Sequence, residues 1–184
     1  FKESTLDGNS KILVLREQGV GDEILYGSMY DDLLKKNQNV TFECDERLIP
    51  LFQYSFNQNH KDKFINLGSI SNYEDKLKNY DFVLYAGSLG KFFRNDINLF
   101  PKTSYLDVEQ EFINETKNKV ADLKNRFNIG ISWKSFKNRY AREKSLELEE
   151  FINIFKTPNC NFINIQYGDV NDEINNFCSK YKIE

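Results

Sequence analysis

The feature that most constrains the fold is a series of six short apolar runs, which alternate with longer amphipathic stretches. The runs are Ile12–Leu15, Val40–Cys44, Phe64–Leu67, Phe82–Tyr85, Ile129–Trp133 and Phe162–Ile165. Each is short and nearly continuous in apolar character, which is typical of parallel strands covered on both faces. Since most of the intervening stretches have helical character, the pattern predicts right-handed βαβ units. The predicted fold class is α/β, with a Rossmann-like parallel sheet and flanking helices.

Helical periodicity follows the first run. Leu25, Met29 and Leu33 recur at a spacing of four residues, which predicts one broad buried helical face. Near the end of the chain, Ser145 is a good N-cap residue and is followed by the same kind of pattern, so a helix is expected to begin there.

The alternation breaks at an irregular stretch, residues 95–105, and a charged helical connector is expected from Val108 to Phe127. We therefore predict three regions: a linker over residues 1–10, an N-terminal Rossmann-like domain with the connector helix over residues 11–127, and the start of a truncated second Rossmann-like domain over residues 128–184. The alternative is a single six-stranded sheet.

Composition and charge argue against several classes of protein. The net charge is −3, from 25 basic and 28 acidic side chains, which gives no general reason to bind nucleic acid or an anionic membrane. No apolar run reaches the length of a membrane span and no signal peptide is visible, so a cytoplasmic location is expected. Three widely spaced cysteines and one histidine, His60, argue against a disulfide framework and a metal site. Because the chain starts at Phe1 and its only methionine is Met29, it is expected to be part of a longer protein.

A glycine-containing loop follows the first run. Gly19 and Gly21 allow a ligand to approach the backbone closely, and a strand end followed by a helix start suits a phosphate. The spacing does not fit the dinucleotide motif GxGxxG, since Ile24 stands at the third glycine position, and it does not fit a Walker A loop. Asp22 is either the helix N-cap or a general base that takes a proton from a ligand hydroxyl, and the residues favour neither.

Seven segments in order along the chain carry a resemblance to a known family. They are LREQGVGDEILYGSMYDDLL, ECDERLIPLFQYSF, GSLGKFFR, FPKTSYL, GISWKSF, REKSLELEEF and FINIQYGD. These segments resemble the glycosyltransferase-like region of bacterial tetratricopeptide-repeat proteins, which is related to the heptosyltransferase family (family nine). The resemblance implies a GT-B architecture of two Rossmann-like domains and an inverting, metal-independent sugar transfer. It also implies a nucleotide-diphospho-sugar as donor substrate, no cofactor, and tetratricopeptide repeats upstream in the same chain.

The resemblance also assigns roles to individual residues. Asp22 would be the general base, and Arg142 and Lys144 would contact the donor diphosphate beside the helix that starts near Ser145. The remaining predicted site residues are Gly19 and Gly21 at the phosphate, and Gln18, Trp133, Gln166 and Tyr167 along the cleft. Trp133 has the alternative of a core anchor, and Gln166 and Tyr167 that of strand-end packing. The basic stretch from Lys134 to Lys144 has the alternative of a solvated loop.

These observations lead to one functional hypothesis and two rivals. The first is a glycosyltransferase domain that transfers a sugar from a nucleotide-diphospho-sugar to a hydroxyl of a glycan or protein, with the present chain alone inactive because its second domain is incomplete. The alternative is a non-catalytic module that binds a nucleotide-sugar or serves as a scaffold in a repeat protein. A nucleotide-dependent oxidoreductase is the weaker third hypothesis.

Overall fold

A computed structural model of the chain describes residue 6 and residues 8–56, 58–68, 73–123, 125–136 and 142–183. The chain divides into two compact units, Phe1–Ile113 and Asn114–Glu184, and each is described by itself. Within the described ranges, no helix is long and apolar enough to cross a membrane.

The first unit is an α/β structure built on one parallel sheet. Its strands are β1 (Ile12–Leu15), β2 (Val40–Glu43), β3 (Phe64–Ile65) and β4 (Phe82–Tyr85). Its helices are α1 (Val20–Gly27), α2 (Tyr30–Lys36), α3 (Ile49–Ser55), α4 (Tyr73–Leu77) and α5 (Gly90–Phe93), with 3-10 turns at Gln58–Lys63, Ala86–Leu89 and Ile97–Leu99. The strand order is β3-β2-β1-β4, and all three pairings are parallel. The predicted parallel sheet with flanking helices is confirmed, and this order is compatible with a Rossmann-like fold.

The central strand β1 explains why its sequence is apolar at every position. Ile12 and Val14 join the main hydrophobic core on one face of the sheet, where Tyr30 stacks on Phe42 at 4.1 Å. Leu13 and Leu15 join a smaller core on the other face. Because successive strand side chains point to opposite faces, a strand covered on both sides needs an apolar residue at each position.

The predicted continuous helical face after β1 is wrong at its first turn. Helix α1 ends at Gly27 and α2 begins at Tyr30, so Leu25 points away from the core and is 62% exposed. Gly27 is buried where the chain changes direction, and a Cβ there would lie 2.7 Å from the hydroxyl oxygen of Tyr105. The close approach of the Tyr105 segment therefore requires a glycine at the end of α1.

The second unit contains a separate two-stranded parallel sheet. Its strands are β5 (Phe127–Ile131) and β6 (Cys160–Asn164). Helix α6 (Gln110–Lys119), which belongs to this unit from Asn114 onward, precedes β5. Helices α7 (Ile152–Phe155) and α8 (Asn171–Tyr181) follow, with 3-10 turns at Arg142–Lys144 and Leu148–Phe151. The described strands thus form two sheets, and not the single six-stranded sheet that was the alternative. Both strands of this unit begin two residues earlier than predicted.

Candidate functional site at the carboxyl edge of the first sheet

The strand order places a topological switch point between β1 and β4. The chain builds the sheet outward from β1 to β3 and then crosses to the other side of β1 to form β4. In open parallel sheets, the crevice at such a point, beyond the carboxyl ends of the strands, is where ligands bind. The two segments that border this crevice are the loop Arg16–Gly19 and the 3-10 turn Ala86–Leu89.

The structure brings four of the predicted site residues together in the loop after β1. Gln18, Gly19, Gly21 and Asp22 lie between the end of β1 and the first turn of α1. The half-buried carboxylate of Asp22 accepts a hydrogen bond from the Gly19 N–H, with an N–O distance of 3.2 Å. Gly21 is exposed, and a Cβ there would meet no atom within 4 Å. Asp22 therefore stabilises the start of α1.

Glu17, which was not among the predicted site residues, links the two sides of the crevice. Its Oε2 atom accepts a hydrogen bond from the Gly87 N–H at 2.6 Å. A Cβ at Gly87 would lie 2.7 Å from the same Glu17 oxygen and 3.2 Å from the ring of Tyr26. The space between the two loops at this point is thus filled by the Glu17 carboxylate and the Tyr26 ring.

A cluster of charged side chains around Arg16 lies at this edge, and two of its acids, Glu23 and Glu43, are buried. The guanidinium of Arg16 lies 3.7 Å from Glu23, 3.3 Å from Glu43 and 3.3 Å from Asp45. Glu23 is 1% exposed and also accepts a hydrogen bond from the Asp45 N–H at 2.8 Å. Together these contacts tie the carboxyl ends of β1 and β2 to helix α1.

Burial and pairing act in opposite directions on the acids of this cluster. Burial raises the pKa of the Glu43 carboxyl above its ordinary value, even though Arg16 acts against this. Hydrogen bonds from Arg47 hold the pKa of Asp45 well below its usual range. The cluster is therefore an internal ion network. The part of the chain that the structure describes contains no group of three or more His, Cys, Asp or Glu side chains suited to a metal ion.

The second unit holds Gln166 and Trp133 in structural contacts. Gln166 is 7% exposed. Its Oε1 atom accepts hydrogen bonds from Ser132 Oγ and from the N–H groups of Trp133 and Lys134. Its Nε2 atom donates to the carbonyl oxygens of Lys134 and Tyr167. Gln166 thereby joins the segments that follow β5 and β6.

Trp133 is 5% exposed within the core of the second unit. Its indole N–H donates to Glu173 at 2.8 Å, and the Lys134 ammonium pairs with the same carboxylate. This placement leaves little of the Trp133 ring for stacking on a ligand. Tyr167 is exposed, and its ring packs against Phe136 at 5.2 Å between centroids.

The predicted diphosphate contacts lie on a short segment before Leu148. Lys144 is exposed at the end of a 3-10 turn, and the Ser145 hydroxyl accepts a hydrogen bond from the Ser135 N–H at 3.0 Å. Ser145 does not begin a helix, since the next helical turn starts at Leu148 and is capped at Glu147. The Arg142 side chain and residues 137–141, which include Lys137 and Arg139 of the basic stretch, lie outside the described residues.

A cavity of about 780 Å³ lies in the second unit, beside β6 and α8. Its lining is largely apolar and aromatic, with Phe155, Phe162, Phe177 and Tyr181 among the contributing side chains. Trp133 is the predicted site residue on its border. The cavity therefore belongs mainly to the hydrophobic packing of this unit.

Comparison with known proteins yields one distant similarity. No protein-family model matches the chain, and no solved structure matches it. The chain is 25% identical over 175 residues to Protein FlbA of Caulobacter vibrioides. That alignment covers 89% of this chain and 29% of FlbA, so the chain spans less than a third of the relative. The expected resemblance to the glycosyltransferase-like region of tetratricopeptide-repeat proteins is therefore wrong, because the similarity found is to a protein of a different name and no family model supports it.

Proposed function

We propose that the first unit binds the hydroxyl-bearing acceptor of a sugar-transfer reaction, and that the whole protein uses a nucleotide-diphospho-sugar as donor. The observation that carries the proposal is the position of Asp22. Asp22 is half-buried and lies in the first turn of α1, the helix that follows the central strand. The switch point of a parallel sheet is where a ligand is expected, and a carboxylate there can accept the proton of a ligand hydroxyl.

The chemistry of such a transfer fits an aspartate without a metal ion. Asp22 would take the proton of the acceptor hydroxyl while the hydroxyl oxygen forms a bond to the anomeric carbon of the donor. The bond between that carbon and the diphosphate oxygen breaks, and its electron pair leaves with the diphosphate.

A second candidate is a sugar-binding module without turnover. The observation in its favour is that the Asp22 carboxylate already accepts a hydrogen bond from the Gly19 N–H at 3.2 Å. This contact stabilises the start of α1, and the role does not require Asp22 to transfer a proton. The two candidates share the ligand class and differ in whether Asp22 transfers a proton.

Asp22→Asn separates the two candidates. The asparagine keeps the volume and one oxygen that can accept from the Gly19 N–H, but it cannot serve as the base. We expect transfer by the full-length protein, assayed with a panel of nucleotide-diphospho-sugars and saccharide acceptors, to fall by about 10²–10⁴-fold. The melting temperature and the affinity for the saccharide should stay unchanged.

A control variant and the wild-type protein show which candidate each outcome supports. Glu46→Gln removes an exposed carboxylate near the same edge and should leave the transfer rate unchanged. Unreduced transfer in Asp22→Asn would rule out Asp22 as the base. A wild-type protein that binds saccharides but transfers nothing would support the module, and one that binds no saccharide would refute both candidates.

A further inference from the structure

We propose that Glu17 determines the charge selectivity of the site at the β1–β4 edge, by occupying the hydrogen-bond position that an anionic ligand would take at the Gly87 N–H. The ligand class that follows is an uncharged or amino-bearing sugar, and ligands that carry a phosphate or a carboxylate are excluded. This inference rests on the proposed function, because it names the chemistry of the same ligand.

The first argument is that the Gly87 N–H already has an anionic partner. The Glu17 Oε2 atom accepts a hydrogen bond from the Gly87 N–H at 2.6 Å, and hydrogen bonds to a carboxylate are shorter and stronger than those between neutral groups. The absence of a side chain at Gly87 makes this possible, since a Cβ would lie only 2.7 Å from that oxygen. A ligand phosphate could reach this N–H only by displacing the Glu17 carboxylate.

The second argument is the charge of the surroundings. The carboxylates of Glu17 and Asp22 border the loop after β1, and three more, Glu23, Glu43 and Asp45, lie around Arg16. The Arg16 guanidinium is engaged by those three acids, and Arg47 also pairs with Asp45, so five carboxylates stand against two cations. The local excess of negative charge disfavours an anion, whereas hydroxyl and ammonium groups can donate to carboxylate oxygens.

The third argument is that the loop is held in a conformation it would not adopt freely. Gln18 has a φ of 58°, in the left-handed region that residues other than glycine rarely occupy. It lies between Glu17, which is bonded to Gly87, and Gly19, which is bonded to Asp22. Such backbone strain persists only where neighbouring contacts impose it. The Glu17–Gly87 hydrogen bond is therefore part of the loop's construction.

The test compares two ligands and two variants. Inorganic pyrophosphate is the anionic probe, and a panel of neutral mono- and disaccharides is the uncharged one. Glu17→Ala exposes the Gly87 N–H and removes the charge, whereas Glu17→Gln removes the charge and keeps an oxygen that can bridge the loops. Binding is followed on the full-length protein by calorimetry, and it is located by the amide chemical shift of Gly87.

We expect the wild-type protein to bind neutral sugar, and we expect pyrophosphate to leave the Gly87 amide of the wild type unshifted. In a titration followed at that amide, Glu17→Ala should bind pyrophosphate at least tenfold more tightly than the wild type, and Glu17→Gln should fall between them. Glu46→Gln controls for a general change of charge near the edge and should gain less than twofold.

Two results would overturn the inference. One is a pyrophosphate gain in Glu17→Ala no larger than that in Glu46→Gln, and the other is a gain without a shift of the Gly87 amide. If Glu17→Ala unfolds, Glu17→Gln decides by the same criteria. Failure of the wild type to bind any neutral sugar would refute the proposed function, while the pyrophosphate response at Gly87 would still test whether Glu17 blocks anions.

Discussion

Replacing Gln166 with alanine should destabilise the second unit strongly, since this one side chain takes part in five hydrogen bonds. The bond that its Oε1 accepts from the Trp133 N–H is fully buried, and the loss of a buried partner costs about 1–3 kcal/mol. The other four bonds are partly buried and should contribute about 0.5 kcal/mol each. The expected loss in the free energy of unfolding is about 3–5 kcal/mol.

The chain provides its own reporter for this measurement. Trp133 is the only tryptophan and lies in the core of the second unit, so its fluorescence during urea denaturation follows that unit. The control is Asn175→Ala, which changes an exposed side chain on α8 and should alter stability by less than about 0.5 kcal/mol. A loss below about 1 kcal/mol for Gln166→Ala, or one equal to that of the control, would show that Gln166 does not hold the two segments together.

Four further predictions concern individual side chains. Gly27→Ala should cost about 1–3 kcal/mol in denaturation experiments, and Tyr105→Phe should relieve part of that loss because it removes the hydroxyl 2.7 Å from the new Cβ. Burial raises the pKa of Glu43, so the stability that its protonated form provides is lost as the pH rises through that pKa. Glu43→Gln should therefore gain stability relative to the wild type as the pH of the denaturation series is raised. Burial raises the pKa of the Cys44 thiol to about 12, so a thiol reagent should modify it last, at the rate of unfolding. Lys144→Ala should weaken binding of a nucleotide-diphospho-sugar by the full-length protein. An unchanged dissociation constant would show that Lys144 does not contact this ligand.

Two strands of the first sheet were predicted with the correct bounds because their sequences are continuous apolar runs. The ranges are Ile12–Leu15 and Phe82–Tyr85, and a polar residue directly precedes each of them. The strand predicted at Ile129–Trp133 lies instead at Phe127–Ile131. Phe127 is 76% exposed and Trp133 is buried beyond the strand end, so apolar character in this segment does not mark the strand itself.

The remaining errors arise from contacts between residues that are distant in sequence. The break between α1 and α2 depends on Gly27 meeting Tyr105, and periodicity within one segment carries no information about that contact. Glu17 and Gly87 are likewise 70 positions apart. A weak signal for the charge cluster did exist, since Arg16 and Asp45 directly follow runs that were predicted to be parallel strands, and the carboxyl ends of parallel strands meet at one edge of a sheet.

The central position of β1 has a consequence for the order of folding during synthesis. Ile12 pairs with Phe82, which the ribosome adds 70 positions later. At about 5–20 residues per second, this interval lasts roughly 4–14 s. Throughout it, one edge of an entirely apolar strand lacks its native partner, and unpaired apolar edges of this kind promote aggregation. The nascent chain should therefore engage holdase chaperones until β4 has emerged from the exit tunnel, and a ribosome stalled before β4 should retain them.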